Sequence, residues 1–592
     1  MFSGAGGLAR LLAGRGIKVI EAASSDEIAG RSPARGLDCV IFTPSEAEIE
    51  DLYGAIGHAE PLLQPNGLML FYLPEDAAAD DIDAALAGVG LKRYAARGPR
   101  LVSRYTIIAQ HAKCVDPTDG KGFMAVRNDY DSVKHAQALF DAGHPEWAFY
   151  VLDTVPADML ADPVVQLLVA IEMQLCLLAW KADVYPRDRL VRFYWAQQQF
   201  YRILNLHPKH PGTYICQATF WELLGDNGMA HRLLRSISHV APDESITRRS
   251  AAIPAKKTDY GYDETMPAWD DAFRPRILII THANSDCGID ALYDGLCNVL
   301  GSENVVEFPW KHHLHGRPID KEIWHPTSCN HPGQPKSVEG LEEELRQGLF
   351  DVILFADTLE LTEKSDTLRL VHANPLIPLF LADVQDEGFD NLPRILEHLR
   401  RDSVCAQFKR EMLACASYSP NTYPLPLAYM DSQTAQDISG ERTRPVFWAG
   451  HRCWGLRRIY LDHLEARFGV SLDELFPPNE FTVALRESQI GLDFFGLGYD
   501  TVRYWEIPAH GCMLLAERKP MRIPFNYVDG ESAVFFDDLP ELEQKLEYYL
   551  NHPDEARAIA VNGHEHMRNH HTSTARARQF LARVQEVLNR DP

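Results

Sequence analysis

The sequence predicts a multi-domain α/β protein with two successive parallel-sheet units in its C-terminal half. Three observations support this prediction. The chain has 592 residues, more than the roughly 250 to 300 that one hydrophobic core serves. Short apolar runs alternate with helical periodicity near the N-terminus and again from residue 274 onward. Between these regions the apolar spacing becomes the three-and-four pattern of an all-α domain.

The composition indicates a globular protein and limits its partners. Apolar residues make up 46% and charged residues 24%. The 83 acidic and 58 basic residues leave a net charge of -25, which argues against a general nucleic-acid or anionic-membrane binder. No membrane span of ~18 apolar residues and no signal core is found, so we expect a cytoplasmic protein. The 11 scattered cysteines predict neither a disulfide framework nor a zinc ribbon.

The first unit, residues 1–115, is predicted to be a Rossmann-like domain. Its apolar strands are expected at 18–21, 38–42, 67–73 and 101–110. Glycines at positions 4, 6 and 7 open a predicted helix, and Glu21 ends the next strand, where a ribose-binding acid would lie. With "LLQPNGLMLFYLP" at 62–74, these features resemble the S-adenosylmethionine-dependent methyltransferase fold. The strand that should precede the glycines is missing, so we expect a degenerate domain, with cofactor binding as the alternative.

Residues 125–245 are predicted to be helical. "AQALFDAGHPEWAFYVLDTVP" (136–156) and "ATFWELLGDNGMAHRLLRSISHVAP" (218–242) resemble tetratricopeptide (TPR) repeats. Stacked helical pairs of this kind often form a peptide-binding groove, and a plain helical spacer is the alternative. The polar, proline-containing residues 246–273 are expected to be a linker.

Two further α/β units follow at 274–430 and 444–592. Their predicted strands are "RPRILIITH" (274–282), "DVILFAD" (351–357) and "LIPLFLAD" (376–383), then "RPVFWAG" (444–450), "SQIGLDFF" (488–495), "CMLLAE" (512–517) and "SAVFFDD" (532–538). Two parallel sheets of this size imply a cleft between them, at the carboxyl ends of their strands.

One stretch carries a family resemblance. In "GYDTVRYWEIPAHGCMLLAE" (498–517), an Arg, an aromatic, a Glu, a small residue and a Gly precede an apolar strand; the residues are Arg503, Tyr504, Trp505, Glu506, Ala509 and Gly511. This pattern resembles the C-terminal domain of group 1 glycosyltransferases of the spore-maturation-protein type, which have the two-domain GT-B fold. The resemblance implies transfer of a sugar from a UDP- or GDP-sugar to a protein or cell-surface glycan acceptor, with no cofactor and no metal.

The predicted donor site has two walls. Glu506 is expected to bind the ribose and Arg503 the diphosphate, with Tyr504 and Gly511 completing the pattern. A solvated helix glutamate is the alternative for Glu506. The other wall is "FWAGHRCWGLRRIYLDHL" (447–464), with the candidates Gly450, His451, Arg452, Arg457 and Arg458. Basic side chains there could stabilise the leaving phosphate without a metal, although Arg457 and Arg458 could instead be surface residues.

The acceptor half has four candidates for a catalytic base. They follow predicted strands and are His282, Asp286, Asp383 and Asp386. Asp383 is preferred, and helix capping is the alternative role for the aspartates. Retaining members of the wider group have two glutamates separated by seven residues. The first of these positions is Gly498 here, which leaves the stereochemical outcome open.

Histidine-rich segments are predicted to be structural. Only His566 and His570 of the cluster 564–571 have helical ligand spacing. The loops "KHHLHG" (311–316) and "HPTSCNH" (325–331) fit no standard metal spacing. Two other classes of function compete with the transferase: a methyltransferase acting through residues 1–115, and a TPR-type interaction protein with decayed catalytic domains. The transferase is favoured because its polar pocket positions are kept.

Overall fold

The computed structural model describes residues 208–590, apart from 255–259, 263–264, 317–326, 359–364 and 473–475. Before residue 208 it describes five strands, one helix, and residues 200 and 204. The chain divides into two compact units, Met1–Leu175 and Cys176–Pro592.

The first unit contains a five-stranded sheet. Its strands are β1 (Val19–Ala22), β2 (Leu37–Phe42), β3 (Leu63–Leu73), β4 (Leu91–Arg93) and β5 (Lys121–Arg127), in the order β1-β2-β3-β5-β4. Strands β1, β2 and β3 are parallel, whereas β5 is antiparallel to both of its neighbours. The first three strands confirm those predicted near 18–21, 38–42 and 67–73. The glycines at 4–7 and the strand predicted at 101–110 lie outside the described residues, so the methyltransferase-like assignment stays a prediction.

Four helices are described between this sheet and residue 253. They are α1 (Ser132–Asp141) in the first unit, and α2 (Pro211–Leu223), α3 (Asn227–Val240) and α4 (Glu244–Ala252) in the second. Gly225, at φ +87°, allows the turn between α2 and α3, and the Asp226 carboxylate caps α3 by accepting from Met229 N–H at 3.0 Å. The helical character predicted for 218–242 is confirmed, and the TPR assignment stays a prediction. The Asp243 carboxylate starts α4, so the first part of the predicted linker 246–273 is helical.

The first sheet domain has six parallel strands in the order β11-β10-β9-β8-β6-β7. They are β6 (Ile277–Ile280), β7 (Val305–Phe308), β8 (Val352–Phe355), β9 (Leu379–Asp383), β10 (Ala406–Lys409) and β11 (Thr422–Pro424), with helices α5 (Cys287–Leu300), α6 (Val338–Arg346), α7 (Ser365–His372) and α8 (Leu392–Leu399). Alternate residues of β6 contribute to two cores: Ile277 and Ile279 to one, Leu278 and Ile280 to the other. The sheet is therefore covered on both faces, as its apolar strands predict.

The second sheet domain has four parallel strands in sequence order. They are β12 (Arg444–Phe447), β13 (Ser488–Asp493), β14 (Met513–Glu517) and β15 (Val534–Phe536), with helices α9 (Arg457–Phe468), α10 (Pro478–Arg486), α11 (Val502–Ala509), α12 (Leu539–Asn551), α13 (Pro553–His570) and α14 (Ser573–Leu588). Helix α14 returns to the first sheet domain, where Phe580 lies 4.6 Å from Phe408 between ring centroids. The predicted pair of parallel-sheet domains is confirmed.

Helices α2 to α4, here called the helical segment (208–252), share a core with the second sheet domain. Arg232 forms an ion pair with Asp537 at 2.6 Å and donates to the Arg518 carbonyl at 2.6 Å. Ser236 Oγ lies 3.1 Å from the Tyr460 hydroxyl. The helical segment is thus packed against the second sheet domain and is not an independent stack of helices. Among the described residues, no helix has the length and hydrophobicity needed to cross a bilayer.

Candidate functional site

Residues that follow a strand of the first sheet contact a loop that follows a strand of the second sheet. Arg410 and Glu411 directly follow β10, and the loop 494–501, here called the cleft loop, follows β13. Arg410 Nη2 donates to the Asp500 carbonyl at 2.6 Å. Glu411 Oε1 accepts from the backbone N–H groups of Tyr499 and Asp500 at 2.7 and 2.9 Å. A Cβ atom at Gly498 would overlap this carboxylate, so glycine permits the close approach of the two domains.

Glu411 is a buried carboxyl at this junction. Burial raises its pKa to about 8, with a further contribution from Asp386 and an opposing one from Arg410. Its Oε2 atom has no hydrogen-bond partner among the described residues. Asp386, one of the predicted bases, forms an ion pair with Arg410 at 2.9 Å. Asp386 therefore belongs to the contact between the domains.

Glu506 lies on α11 and faces the first sheet domain. It is 6% exposed, and burial raises its pKa to about 7 against the opposing effects of the Arg503 charge and a hydrogen bond from Tyr429. Burial raises the pKa of the Cys287 thiol at the start of α5, and the Asp286 and Glu506 charges add to the shift. Glu506 is therefore not the solvated helix glutamate that was the alternative.

A chain of hydrogen bonds orients Tyr429 toward Glu506. Arg486 Nε donates to His510 Nδ1 at 3.3 Å, and His510 Nε2 lies 3.1 Å from the Tyr429 hydroxyl. Burial lowers the pKa of His510 to about 3, so the ring is neutral. Because arginine only donates, Nδ1 accepts and Nε2 carries the proton. The hydroxyl hydrogen of Tyr429 is then free for Glu506.

Arg503 is the cation left available in this region. It makes no hydrogen bond or ion pair with the described residues, and its Nε atom is buried without a partner. Its Cζ atom lies 5.8 Å from the Trp448 ring centroid. A Cβ at Gly450, whose φ is +144°, would lie 2.5 Å from Arg503 Nη2. Glycine at this position therefore leaves room for the guanidinium.

The other predicted cations are engaged elsewhere. Arg457 donates to the carbonyls of His451 and Phe494, both at 3.1 Å, and burial lowers its pKa to about 10. Arg452 pairs with two carboxylates of α9, at 2.8 and 2.6 Å. Arg458 is exposed on α9. Arg457 thus supports the loop after β12, Arg452 connects that loop to α9, and Arg458 lies on the surface.

Two positions of the family pattern are structural. Tyr504 is fully buried, and its hydroxyl donates to Asn526 Oδ1 at 2.6 Å. Gly511 has φ +67° just after α11, and a Cβ there would lie 2.6 Å from Ile438. Tyr504 thus joins the start of α11 to the loop after β14, Gly511 allows the turn after the helix, and neither presents a polar group to the cleft.

His282 and Asp286 lie together between β6 and α5. Asp286 Oδ1 caps α5 by accepting from Gly288 and Ile289 N–H, each at 2.8 Å. Its Oδ2 lies 3.6 Å from His282 Nε2. Burial raises the pKa of Asp286, but the His282 ring, the Ile289 amide and the Lys311 charge outweigh burial and hold it at about 2. Asp286 is therefore both a helix cap and an ionised partner for His282.

Asp383, the preferred base, is held in a buried ion pair. Lys409 Nζ lies 2.8 Å from Asp383 Oδ2, and both side chains are completely buried. Asn391 Nδ2 also donates to Oδ2, at 3.1 Å. Because Asp383 has no exposed surface and its Oδ2 atom is held by Lys409 and Asn391, it lacks the access that a catalytic base needs.

The second sheet domain contains a matching buried pair that the sequence analysis missed. Lys519 Nζ lies 2.8 Å from Asp493 and donates to the Tyr499 carbonyl at 2.6 Å. Glu517 accepts from Phe495 N–H at 3.0 Å, and burial raises its pKa to about 7. Through these contacts, Glu517 and Lys519 hold the backbone of the cleft loop in place. No motif marks Lys519, Tyr429, Arg410 or Glu411, so pattern reasoning had no signal for them.

The C-terminal histidines make structural contacts. His564 Nδ1 lies 2.9 Å from the Pro508 carbonyl, and the Nε2 atoms of His566 and His571 lie 2.7 and 2.8 Å from the Phe525 carbonyl. The first contact joins α13 to α11, and the other two join α13 and the crossover to α14 with the loop after β14.

Residues 449–582 match the model of a family described as glycosyl transferase-like. The match covers the cleft loop, α11 and the return to the first sheet domain, including Arg503 and Glu506. No curated protein sequence matches the chain.

Several solved structures resemble the chain weakly. HepE from Anabaena, in complex with UDP and glucose, has 10% identity and a TM-score of 0.35 over 54% of this chain and 100% of its own. A Rickettsia africae glycosyltransferase has 9% identity and a TM-score of 0.34, with 54% and 100% covered. An O-GlcNAc transferase from Thermobaculum terrenum has 11% identity and a TM-score of 0.28, with 76% and 97% covered.

Proposed function

We propose that this chain is a GT-B glycosyltransferase that takes a UDP- or GDP-sugar as donor. The observation that carries the proposal is that Glu506 and Arg503 lie one turn apart on α11, within the family match. Glu506 is buried and faces Tyr429, while Arg503 has an unpartnered buried Nε atom. A buried carboxylate can accept hydrogen bonds from a diol, and a guanidinium close to it can bind an anion. The two side chains together therefore suit a ligand that contains both groups.

In this proposal the two side chains bind different parts of the donor. Arg503 neutralises the diphosphate, assisted by the N–H groups at the start of α11, where Thr501 supplies no side-chain cap. Glu506 accepts hydrogen bonds from the ribose hydroxyls, which favour its ionised form. With Arg503 and the helix N-terminus stabilising the leaving group, the reaction requires neither a metal nor a cofactor.

The acceptor hydroxyl is deprotonated by His282 in this mechanism. The acceptor oxygen forms a bond to the anomeric carbon as the bond to the diphosphate oxygen breaks. The proton goes to His282 Nδ1, because Nε2 faces Asp286. Asp286 stabilises the resulting imidazolium, and Arg503 stabilises the nucleoside diphosphate that leaves. Both ring nitrogens of His282 are buried and have no other hydrogen-bond partner among the described residues, so Nδ1 can take the proton once an acceptor enters beside the ring.

The acceptor in this proposal is a polypeptide or a cell-surface glycan. TPR-like helices suit an extended chain, and the helical segment is packed against the domain that carries Glu506. An acceptor bound to the helical segment would therefore lie on the same compact unit as the donor site.

A thermal-shift assay with UDP, GDP and ADP tests the donor site. We expect UDP or GDP to raise the melting temperature of the full chain, because a ligand that binds only the folded state stabilises it. Glu506→Gln should abolish most of the shift. Glu565→Gln, an exposed position on α13, is the matched control and should retain it. The donor site would be refuted if none of the nucleotides caused a shift, or if the Glu506 variant responded like wild type.

A further inference from the structure

A thiol, an imidazole and a carboxylate meet in the first sheet domain, away from Glu506 and Arg503. One ligand atom each of Asp294, Cys329 and His331 lies within 4.8 Å of the other two. Asp294 is on α5, two turns after Asp286, whereas Cys329 and His331 belong to the segment 327–331 before α6. The spacing of cysteine and histidine alone fits no standard site; the third ligand comes from a helix about 35 residues earlier in the chain.

The backbone holds Cys329 and His331 in the required orientation. Cys329 N–H donates to the His313 carbonyl at 3.1 Å, and His331 N–H donates to the Leu314 carbonyl at 3.0 Å. Gly316 N–H returns a bond to the Cys329 carbonyl at 3.0 Å. These three hydrogen bonds fix the backbone at both residues. The ligand atoms of both residues lie within 4.8 Å of that of Asp294, so both side chains face α5.

Asp294 has the surroundings of a metal-binding carboxylate. Its Oδ1 atom lies 2.8 Å from His331 Nε2. Its Oδ2 atom accepts from Ser573 Oγ at 2.6 Å and from Asn298 Nδ2 at 3.3 Å. Hydrogen bonds from Ser573 and Asn298 therefore hold Oδ2, while Oδ1 faces His331 and Cys329. Outer-shell hydrogen bonds of this kind orient the carboxylates that bind metals. Asp294 is buried, and the other two residues are half-buried, which leaves a path for an ion.

We propose that Asp294, Cys329 and His331 form a binding site for Zn²⁺ or a similar divalent cation, with water as the fourth ligand. Thiolate, imidazole and carboxylate together are the donor set that zinc prefers. Zinc ligands at about 2.0 to 2.3 Å in tetrahedral geometry lie roughly 3.4 Å apart. The carboxylate and imidazole must therefore separate slightly, and the thiol must approach, through side-chain rotations.

Binding exchanges protons for the metal. The Cys329 thiol loses its proton to solvent as the metal–sulfur bond forms, and the neutral His331 ring binds through Nε2 with its proton on Nδ1. Because the thiolate and not the thiol binds the metal, affinity should fall as the pH is lowered. The bound ion would connect the 327–331 segment to α5 and, through Ser573, to the crossover before α14.

A second trio provides an internal control. His239, His463 and Glu543 also place one ligand atom each within 4.8 Å. Arg467 Nε donates to Glu543 Oε1 at 2.9 Å, so a permanent cation already occupies that carboxylate. This trio also lacks a thiol, so a metal bound there cannot produce a thiolate absorption band.

Titration of the chelator-treated full chain with Zn²⁺ and with Co²⁺ tests the proposal. We expect one equivalent of Co²⁺ to give a thiolate-to-metal charge-transfer band that Zn²⁺ abolishes by displacement. Cys329→Ser should lose the band, His331→Gln should weaken binding by about 10-fold or more, and Ser573→Ala should weaken it without removing a ligand. Cys405→Ser and His463→Ala are controls that keep the band.

The melting curve of each metal-free variant establishes that it is folded. The proposal is overturned if folded wild-type protein shows no such band, or if the band and the affinity survive in Cys329→Ser. These readouts do not involve nucleotide binding, so their failure would leave the proposed donor site intact.

Discussion

Trp221 of α2 packs edge-on against Tyr499, with ring centroids 5.5 Å apart and an interplanar angle of 64°. Tyr499 belongs to the cleft loop, and its N–H donates to Glu411 of the first sheet domain at 2.7 Å. Its carbonyl accepts from Lys519 of the second sheet domain at 2.6 Å. One residue therefore contacts the helical segment and both sheet domains, which brings the helical segment directly to the cleft.

Because of this contact, deleting the N-terminal residues cannot serve as a test of acceptor binding alone. Deleting residues 1–245 would remove Trp221, Arg232 and Ser236 from the core of the second sheet domain. We expect that truncated protein to fail to fold, so it cannot separate acceptor binding from catalysis. Circular dichroism of the truncated chain checks this expectation. Native-like melting of the fragment would mean that the helical segment is dispensable for the domain.

A point variant is the sharper test of the same contact. Trp221→Ala should destabilise the protein by about 3 to 5 kcal/mol, because a large buried aromatic leaves a cavity. Trp221→Phe, which keeps an aromatic ring against Tyr499, should lose much less. Urea denaturation of the two variants measures the difference. Equal midpoints for Trp221→Ala and wild type would contradict the packing described.

Buried carboxyls should make stability depend on pH. Burial raises the pKa of Glu517 to about 7 from its ordinary 4.5, so the folded state holds the proton more tightly than the unfolded state. Its stabilising contribution is complete below about pH 4.5 and is lost as the pH rises through about 7, at roughly 1.4 kcal/mol per unit of pKa difference. Glu517→Gln should flatten this decline, measured by urea denaturation at several pH values. Glu565→Gln, at an exposed position, should leave the decline unchanged.

The assignment of the base predicts a separation of binding from transfer. His282→Ala should reduce the transfer rate by about 10²- to 10⁴-fold, while the affinity for UDP or GDP stays at its wild-type value. Asp286→Asn should also slow transfer, and should cost some stability as well because Asp286 caps α5. Rate measurements at saturating donor, with nucleotide titrations alongside, check both. Undiminished transfer by His282→Ala would exclude it as the base.

Asp383 is predicted to act on stability and not on catalysis. Asp383→Leu alone leaves Lys409 buried without its counter-charge and should cost about 3 to 5 kcal/mol. The double variant Asp383→Leu/Lys409→Met removes both charges and should recover most of the stability together with the transfer activity. Thermal melting and a transfer assay on the three proteins are the measurements. A stable double variant that binds nucleotide but cannot transfer would return Asp383 to the role of base.

The apolar strands were predictable because their pattern is local. Runs such as "RILII" and "CMLLAE" are buried on both faces of a parallel sheet, and that burial requires continuous apolar sequence. Strand β10 was missed because Gln407 and Lys409 interrupt its apolar character, and both are buried in the fold. The charge of Lys409 is tolerated only because Asp383 lies beside it on the neighbouring strand.

The sequence by itself determined the two parallel-sheet units and the helix that carries Arg503 and Glu506. Only the tertiary structure decided which of several similar side chains is left to bind a ligand or take part in catalysis. Arg452, Arg457 and Arg503 look alike in the sequence, yet carboxylates and carbonyls engage the first two. Asp383 and Asp286 both follow a strand, yet one faces a buried lysine and the other a histidine. The reason is physical: periodicity depends on near neighbours in the chain, whereas charge pairing and desolvation depend on residues that only folding brings together.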